Sequence, residues 1–350
     1  MAGRVFVVLL LGLSLAACGW AGPAPGATRA TPPPGATGGA SGRLSQVPLK
    51  LPRIERGQSC PLSKLSQVVG PHLRMGLGSG PVYLFSGEGV RSQHSTKVVW
   101  AAEPSYSGPI RIRGGRIDGS SQLLLDAPDN NWHGAPVKKV DGSDLYPELD
   151  LLESHSTFPN VPAGWRMWPS GTYVASPGCY AWQVDGLGFT ELITVRPLDL
   201  PTLPPGAACP VSPQQVAHDL SSQFGYGKAV GAGPVYALMG EMPGGVLSYS
   251  QSYSQSHYKD GWAAFKVLWM AKPQVSGNLL IRGQQIDGSN RIGFGIGDYA
   301  DSALQWEVAS QSGWASLPSE IQIRAPGCYA YQVDSQKGSE VIVFQVVGIQ

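Results

Sequence analysis

The sequence predicts an all-β protein built from two tandem copies of one β-sandwich domain, and three observations support this prediction. Charged residues make up only 14% of the 350 residues, whereas Gly and Pro, which favour turns, number 46 and 30. Short segments rich in β-branched and aromatic residues alternate between apolar and polar positions, as half-buried strands do. Similar segments also recur in the same order in both halves of the chain, which indicates a duplication.

The internal repeat sets the domain boundaries. Residues 177–185 (PGCYAWQVD) match residues 326–334 (PGCYAYQVD). Further matching pairs are Cys60-Pro61 with Cys209-Pro210, GPVY at 80 and 233, VVW at 98 with VLW at 267, IRG at 112 and 281, IDGS at 117 and 286, and ELI at 191 with EVI at 340. We therefore predict a sandwich at 54–198, a Pro-rich linker at 199–205 and a second sandwich at 206–350. The second copy has a longer early insertion and the first a longer late one, both expected in surface loops.

The clearest strand signal is a hairpin at the end of each copy. Tyr180, Trp182 and Val184 fall on one face of an extended segment at 179–185, a turn follows at 186–188, and 189–195 returns as a second strand. Shorter strands are predicted around 82–84, 98–100 and 110–113, and a short helix is predicted at 213–223 after a Ser212 cap.

The phrase Pro-Gly-x-Tyr-x-x-x-Val, which begins at Pro177 and at Pro326, resembles the start of the penultimate strand in bacterial immunoglobulin-like domains. That resemblance implies two immunoglobulin-like sandwiches, each ending with the strand that follows this one. One departure concerns Cys179 and Cys328, which occupy a variable position of those domains.

The N-terminus has the pattern of an export signal. Residues 1–17 contain a basic Arg4 and an apolar run at 5–15, as a secretory signal peptide does. Leu15-Ala16-Ala17-Cys18 resembles the lipobox of bacterial lipoproteins, and this resemblance implies cleavage before Cys18, which would carry diacylglycerol and palmitate-type acyl chains. The implied partner is a bilayer, at the outer face of the plasma membrane or, in a cell with two membranes, at the outer membrane. The alternative is an ordinary signal peptide cleaved nearby, with Cys18 incidental.

Residues 18–53 after this signal are dominated by Gly, Ala, Pro and Thr in their first part. Such a segment has few large apolar side chains to bury, so we predict a disordered tether after the lipidated cysteine.

The four remaining cysteines fall two per copy, at matching positions. Four cysteines allow three pairings, and the repeat favours Cys60–Cys179 and Cys209–Cys328, one disulfide in each domain. An exported location permits disulfides, and a loop of this length contributes about 4–5 kcal/mol in the chain-entropy model. The alternative is a metal site, but no Cys-x-x-Cys pair is present.

No catalytic signature occurs in the sequence, and we expect no cofactor. The Gly-x-Ser-x-Gly elbow is absent, and the six histidines have no metal-ligand spacing. A net charge of +1 gives no bulk field for nucleic acid, so nucleic acid is not an expected partner.

Two groups of acidic residues are candidate sites. The late insertion of the first copy carries four candidate calcium ligands, Asp126, Asp129, Asp141 and Asp144. The alternative hypothesis is a glycan or ester hydrolase that uses this acidic insertion. Asp118 and Asp287 share the context Ile-Asp-Gly-Ser, which favours turn residues, with Arg113 and Arg282 as ion-pair partners.

The early insertion of the second copy contains a run of Tyr, Ser and Gln at 247–258. Tyr249, Tyr253 and Tyr258, with Trp132 of the other insertion, are candidates for ligand contact, because rigid aromatic rings with small polar neighbours suit recognition. The alternative is a solubilising β-arm. We expect a non-catalytic binding or interaction module at the cell envelope, with a cell-wall glycan or an envelope protein as partner, or else a spacer without ligand.

Overall fold

A computed structural model of the chain describes residues 43–55, 58–67, 75–86, 89–126, 135–152, 163–215, 228–239, 246–250, 261–295 and 301–349. The regular secondary structure of these residues is almost entirely β-strand, and both halves belong to one compact unit that extends to residue 350. The predicted signal peptide, Cys18 and most of the predicted tether lie outside the described residues. No helix among the described residues is long and apolar enough to cross a membrane.

The first half contains twelve of the described strands. They are β1 (Leu65–Gln67), β2 (Met75–Leu77), β3 (Val82–Phe85), β4 (Ser95–Ala102), β5 (Ile110–Arg116), β6 (Leu123–Asp126), β7 (Lys138–Val140), β8 (Ser143–Leu145), β9 (Glu148–Leu151), β10 (Arg166–Val174), β11 (Tyr180–Gly186) and β12 (Phe189–Val195).

The second half continues with eleven more among the described residues. They are β13 (Gln214–Gln215), β14 (Ala229–Val230), β15 (Val235–Met239), β16 (Val246–Ser250), β17 (Ala263–Ala271), β18 (Gly277–Gln285), β19 (Gly293–Phe294), β20 (Ala303–Val308), β21 (Ala315–Ile323), β22 (Gly327–Ser335) and β23 (Gly338–Ile349). Gln214–Gln215 pair with Ala229–Val230 as strands, so the predicted helix is wrong at its start, and residues 216–223 lie outside the described part.

Both halves have the same topology. The first has one sheet in the order β1-β2-β3-β4-β10-β6 and a second in the order β12-β11-β5-β9. The second half repeats this with β13-β14-β15-β17-β21-β19 and β23-β22-β18-β20. The predicted fold class, all-β with two tandem sandwiches, is confirmed.

The two predicted insertions account for the strands that differ between the halves. In the first half, the late insertion forms the small hairpin β7–β8. In the second half, the early insertion supplies β16, which adds to the edge of a sheet by pairing in parallel with β23.

Each sandwich closes around an aromatic pair that joins its two sheets. Trp100 of β4 and Trp182 of β11 have ring centroids 6.3 Å apart in an edge-on arrangement. Trp269 of β17 and Tyr331 of β22 repeat this at 5.0 Å. All four side chains are fully buried, which is the expected outcome of the alternation in β4, β11, β17 and β22.

The two predicted disulfides, Cys60–Cys179 and Cys209–Cys328, are present, with Cα atoms 5.6 and 5.4 Å apart. Each joins the beginning of a repeat to the residue at the start of its penultimate strand. Disulfides persist in oxidising compartments, so they indicate an extracytoplasmic protein.

Candidate functional site

Each repeat begins with an extended lead-in segment that lies on its own sandwich, at residues 47–54 in the first and 196–203 in the second. Four apolar side chains of these segments pack on the sandwiches, namely Leu51, Ile54, Leu200 and Leu203. The sequence predicts a disordered tether for residues up to 53 and a linker at 199–205. The structure instead docks both segments, because their leucines and backbone groups find partners on the sheet.

A buried polar cluster in the first repeat holds its lead-in segment. Arg113 donates to Asp185 Oδ2 at 2.6 Å, and Gln183 donates to the Asp185 carboxylate at 2.9 and 3.0 Å. The same Gln183 donates to the Pro48 carbonyl oxygen at 3.0 Å and accepts from the Lys50 N–H at 2.6 Å. Asp185 is wholly buried, so these donors stabilise a charge that water does not reach.

The second repeat has the equivalent cluster. Arg282 donates to Asp334, and Gln332 donates to both oxygens of that carboxylate at 3.0 Å. Gln332 also donates to the Pro197 carbonyl oxygen at 3.0 Å and accepts from the Asp199 N–H at 2.7 Å. Equivalent Arg, Gln and Asp side chains therefore hold the lead-in segment of each repeat.

This geometry corrects the predicted partners of the repeated arginines. Asp118 accepts from Arg116 at 2.6 Å, not from Arg113. Asp287 accepts from Gln285 at 2.9 Å, while Arg282 is bound to Asp334. The reason is register: Arg113 lies directly opposite Gln183 across the β5–β11 ladder, two residues from Asp185, whereas Asp118 lies beyond the end of β5.

The second lead-in segment also joins the two repeats. The Leu198 N–H donates to the Val90 carbonyl oxygen at 2.6 Å. Elsewhere in this junction, the Leu65 N–H donates to Gln305 Oε1 at 2.7 Å. Leu280 and Ala303 of the second repeat complete the junction by packing into the apolar core of the first.

A cavity of about 250 Å³ lies at this junction, and we call it the junction cavity. Residues of both repeats and of the lead-in segment line it, namely Ser86, Gly89, Arg91, Lys97, Leu198, Arg282, Gly283, Arg291, Ile292 and Ser302. The cavity therefore exists only because the two repeats are docked.

The junction cavity is basic. Arg91 and Lys97 come from the first repeat and Arg291 from the second, and the described lining includes no carboxylate. Arg282 is held by Asp334 and by the Arg196 carbonyl oxygen, so its charge is balanced. Burial lowers the pKa of Arg91, and the nearby positive charge of Arg291 lowers that pKa further. Two like charges from different repeats thus face each other across a partly enclosed space.

Sequence reasoning missed these cations because each is an isolated charge in the chain. One signal existed for Arg291. In the first repeat Gln122 bridges to Gly115, and in the second Arg291 bridges to Gln284, so the two residues hold equivalent positions. The position is neutral in the first repeat and cationic in the copy that lines the cavity.

The predicted aromatic site is described only in part. Tyr249 lies in the edge strand β16. Tyr253, Tyr258 and Trp132 lie outside the described residues, so their role in binding stays a prediction.

The acidic insertion does not assemble a metal site among the described residues. Asp141 and Gly142 both have positive φ, at 51° and 86°, as the two central residues of a tight hairpin turn between β7 and β8 require. Asp144 makes an exposed ion pair of 3.8 Å with Lys139. Asp126 ends β6, and Asp129 lies outside the described part. The turn explains Asp141 without any catalytic role.

A second repeated feature is a half-enclosed carboxylate beside each cis Gly-Pro bond. Glu191 accepts from the Ser79 N–H, before the cis bond Gly80-Pro81. Glu340 accepts from the Val235 N–H at 3.0 Å, after the equivalent cis bond of the second repeat. Burial raises the pKa of both carboxyl groups, that of Glu340 to about 7. These glutamates cap the loop that opens β3 and β15, so we assign them a structural role.

No family model matches the chain, and no curated protein matches it. Among solved structures, a Bacillus anthracis protein described as a "Putative Lipoprotein" is 9% identical, with a TM-score of 0.28 over 41% of this chain and 88% of its own. Domains 5–6 of the S-layer protein SbsC are 7% identical, with a TM-score of 0.20 over 79% of this chain and 100% of theirs. The D0-D1 domain of intimin is 7% identical, with a TM-score of 0.19 over 75% and 96%. Likeness at this level supports no functional argument, so the sheet topology itself carries the assignment of fold.

Proposed function

We propose that the chain is a lipid-anchored, non-catalytic module that binds a component of the cell envelope on the outer side of the membrane. The observation that carries the proposal is the junction cavity. Its lining comes from both repeats, and it is fixed in place by the lead-in segment at 196–203. A recess that depends on the docking of two domains is typical of a ligand site between domains.

The anchor is the part of this proposal that rests on the sequence. The lipobox-like ending at Cys18 follows an apolar run, and the docked chain begins near residue 44. The intervening segment is long enough to hold the sandwiches away from the bilayer surface.

The anchoring is tested by expressing the full-length chain in a bacterium fed with radiolabelled palmitate. We expect label on the wild type and its recovery in the detergent phase. Cys18→Ala abolishes both, whereas the matched control Ser14→Ala, inside the signal peptide, leaves both unchanged. Labelling that persists in Cys18→Ala would refute the lipid anchor.

The binding is tested by mixing the full-length protein in detergent with isolated cell envelopes. One half of the envelope sample is first treated with protease to remove envelope proteins. Saturable binding to both halves supports a non-protein envelope ligand, and binding only to the untreated half supports a protein partner. Alanine at Tyr249, Tyr253, Tyr258 or Trp132 shows whether the insertions contribute. A protein that binds neither half is a spacer, and the proposal fails.

A further inference from the structure

We infer that the junction cavity is a binding site for a phosphate group, carried either by a small phosphate ester or by a phosphate-bearing polymer of the envelope. The inference rests on the proposed function, because it names the ligand class of the same site.

The charge of the cavity favours an anion. Arg91, Lys97 and Arg291 converge on a space that has no described carboxylate in its lining. Like charges that converge where solvent is partly excluded repel more strongly than at an open surface. A bound anion would offset that repulsion, because each of the three cations is attracted to it, and the cavity should therefore bind anions.

The donors of the cavity favour phosphate among anions. An arginine guanidinium presents a planar fork of N–H donors that matches two phosphate oxygens, and lysine adds a compact point charge. Arg91 and Arg291 supply two such forks, Lys97 the point charge, and Ser86 a hydroxyl on the same lining. A group with three oxygens and up to two negative charges can engage more of these donors than a carboxylate can.

The size of the cavity limits what surrounds the phosphate. About 250 Å³ lies just below the roughly 300–1,000 Å³ that is typical of small-molecule sites. The space therefore suits a phosphate with a short ester group, or one phosphate of a chain that continues into solvent.

The asymmetry of the repeats shows that the charge is specific to the cavity. The position of Arg291 is occupied by the neutral Gln122 in the first repeat, in the same bridge to the preceding strand. The fold itself therefore needs no cation at this position, so the charge is available for binding.

The test uses the full-length protein in detergent and isothermal titration with inorganic phosphate and glycerol 3-phosphate, with glycerol as the uncharged control. We expect both phosphates to bind and glycerol not to bind. Arg91→Gln and Arg291→Gln each weaken binding at least 10-fold, and the double variant shows none. Lys266→Gln, which removes an exposed cation of β17 outside the cavity, binds as the wild type does.

Folding of the variants is checked by thermal melting. Because Arg91→Gln and Arg291→Gln each remove a repelling charge, these variants melt no lower than the wild type without phosphate. Phosphate raises the melting temperature of the wild type and of Lys266→Gln but not that of the double variant. Equal phosphate binding by the double variant and Lys266→Gln would overturn the inference, as would binding of glycerol as tight as that of glycerol 3-phosphate.

Binding to envelope material distinguishes a phosphate polymer from a small phosphate ester as the ligand. It also distinguishes failure of the phosphate site from failure of the proposed function. Loss of binding after chemical removal of phosphate from the envelope identifies a polymer, and unchanged binding with tight glycerol 3-phosphate affinity identifies a small ester. If the wild type and the double variant bind envelopes equally, the proposed function stands and the phosphate site is wrong. If the wild type binds phosphate but no envelope, the phosphate site stands and envelope binding fails.

Discussion

Gln332 donates a 3.0 Å hydrogen bond to the carbonyl oxygen of Pro197, a residue that leads from one repeat into the next. The same amide group donates to the buried Asp334, so one side chain ties the segment between the repeats to the charged centre of the second sandwich. The position of the second repeat on the first therefore depends on a polar cluster rather than on apolar packing alone.

Gln332→Ala is expected to destabilise the protein by about 2–3 kcal/mol, because it removes donors from a buried carboxylate and a partner from the Asp199 N–H. It should also increase hydrogen exchange at the Leu198 N–H, which bonds to Val90 across the junction. Urea unfolding and exchange mass spectrometry measure the two effects. Gln183→Ala is the matched control: it loosens the first lead-in segment and leaves exchange at Leu198 unchanged. Equal exchange in both variants would contradict the assigned role of Gln332.

Arg113→Met should be among the most damaging single substitutions. It leaves Asp185, which is wholly buried, without its cation, and breaking such a buried pair costs about 3–5 kcal/mol. Lys139→Met removes a cation of the exposed pair with Asp144 and should cost less than about 1 kcal/mol. Urea midpoints at constant slope give the comparison. Similar losses in both variants would show that the cluster around Asp185 contributes little.

Glu340 predicts a pH dependence of stability. Burial raises its pKa from 4.5 to about 7, so between these values the folded state holds a proton that the unfolded state has released. Stability therefore falls as the pH rises from about 4.5 to about 7, by up to about 3 kcal/mol, and stays low above it. Glu340→Gln keeps an oxygen that accepts from the Val235 N–H and removes the titration, so it should be more stable than the wild type at pH 8 and similar at pH 4.5.

Urea unfolding of the wild type and of Glu340→Gln at several pH values checks this, with Glu307→Gln as the exposed control. Parallel pH profiles for the wild type and Glu340→Gln would mean that this carboxyl group ionises normally in the folded protein.

The two disulfides should be reduced in a definite order. Cys60 and Cys179 are fully buried, whereas Cys209 is partly exposed beside the nearly buried Cys328. Attack by a thiolate requires access to a sulfur atom, so Cys209–Cys328 should open first at increasing concentrations of dithiothreitol. Alkylation followed by mass spectrometry of the native protein follows each pair. Earlier opening of Cys60–Cys179 would show that local unfolding, rather than static exposure, controls the order.

Much of the fold could be predicted from the sequence because most segments that form strands occur twice, once in each repeat. The segment at 189–195 coincides with β12, since the turn at 186–188 and the alternation before it fix the register of the hairpin. The disulfide pairing followed from the same duplication.

The lead-in segments were missed because proline-rich, extended chain without regular alternation has the composition of a linker. A signal was present, since Pro48-Leu49 and Pro197-Leu198 are separated by as many residues as Cys60 and Cys209. Their partners are single side chains, Gln183 and Gln332, rather than strands, and strand patterns do not reveal such partners.

The junction cavity could not be predicted for a different reason. Arg91 and Arg291 belong to different domains, and what brings them together is the docking of those domains through Leu198, Gln305 and the apolar contacts around them. No local pattern encodes that docking.

The disulfides also govern how the protein responds to mechanical force. Tension that enters along the N-terminal segment reaches Cys60 and crosses directly to Cys179, which shields the loop between them, a sequence separation of 119, from the load. The second disulfide carries the load in the same way, from Cys209 to Cys328. Each loop would otherwise lengthen the chain by about 400 Å when pulled straight. A pull between the N-terminal segment and the last strand would therefore load the lead-in segments and the strands that follow Cys179 and Cys328, while the two loops closed by the disulfides keep their length.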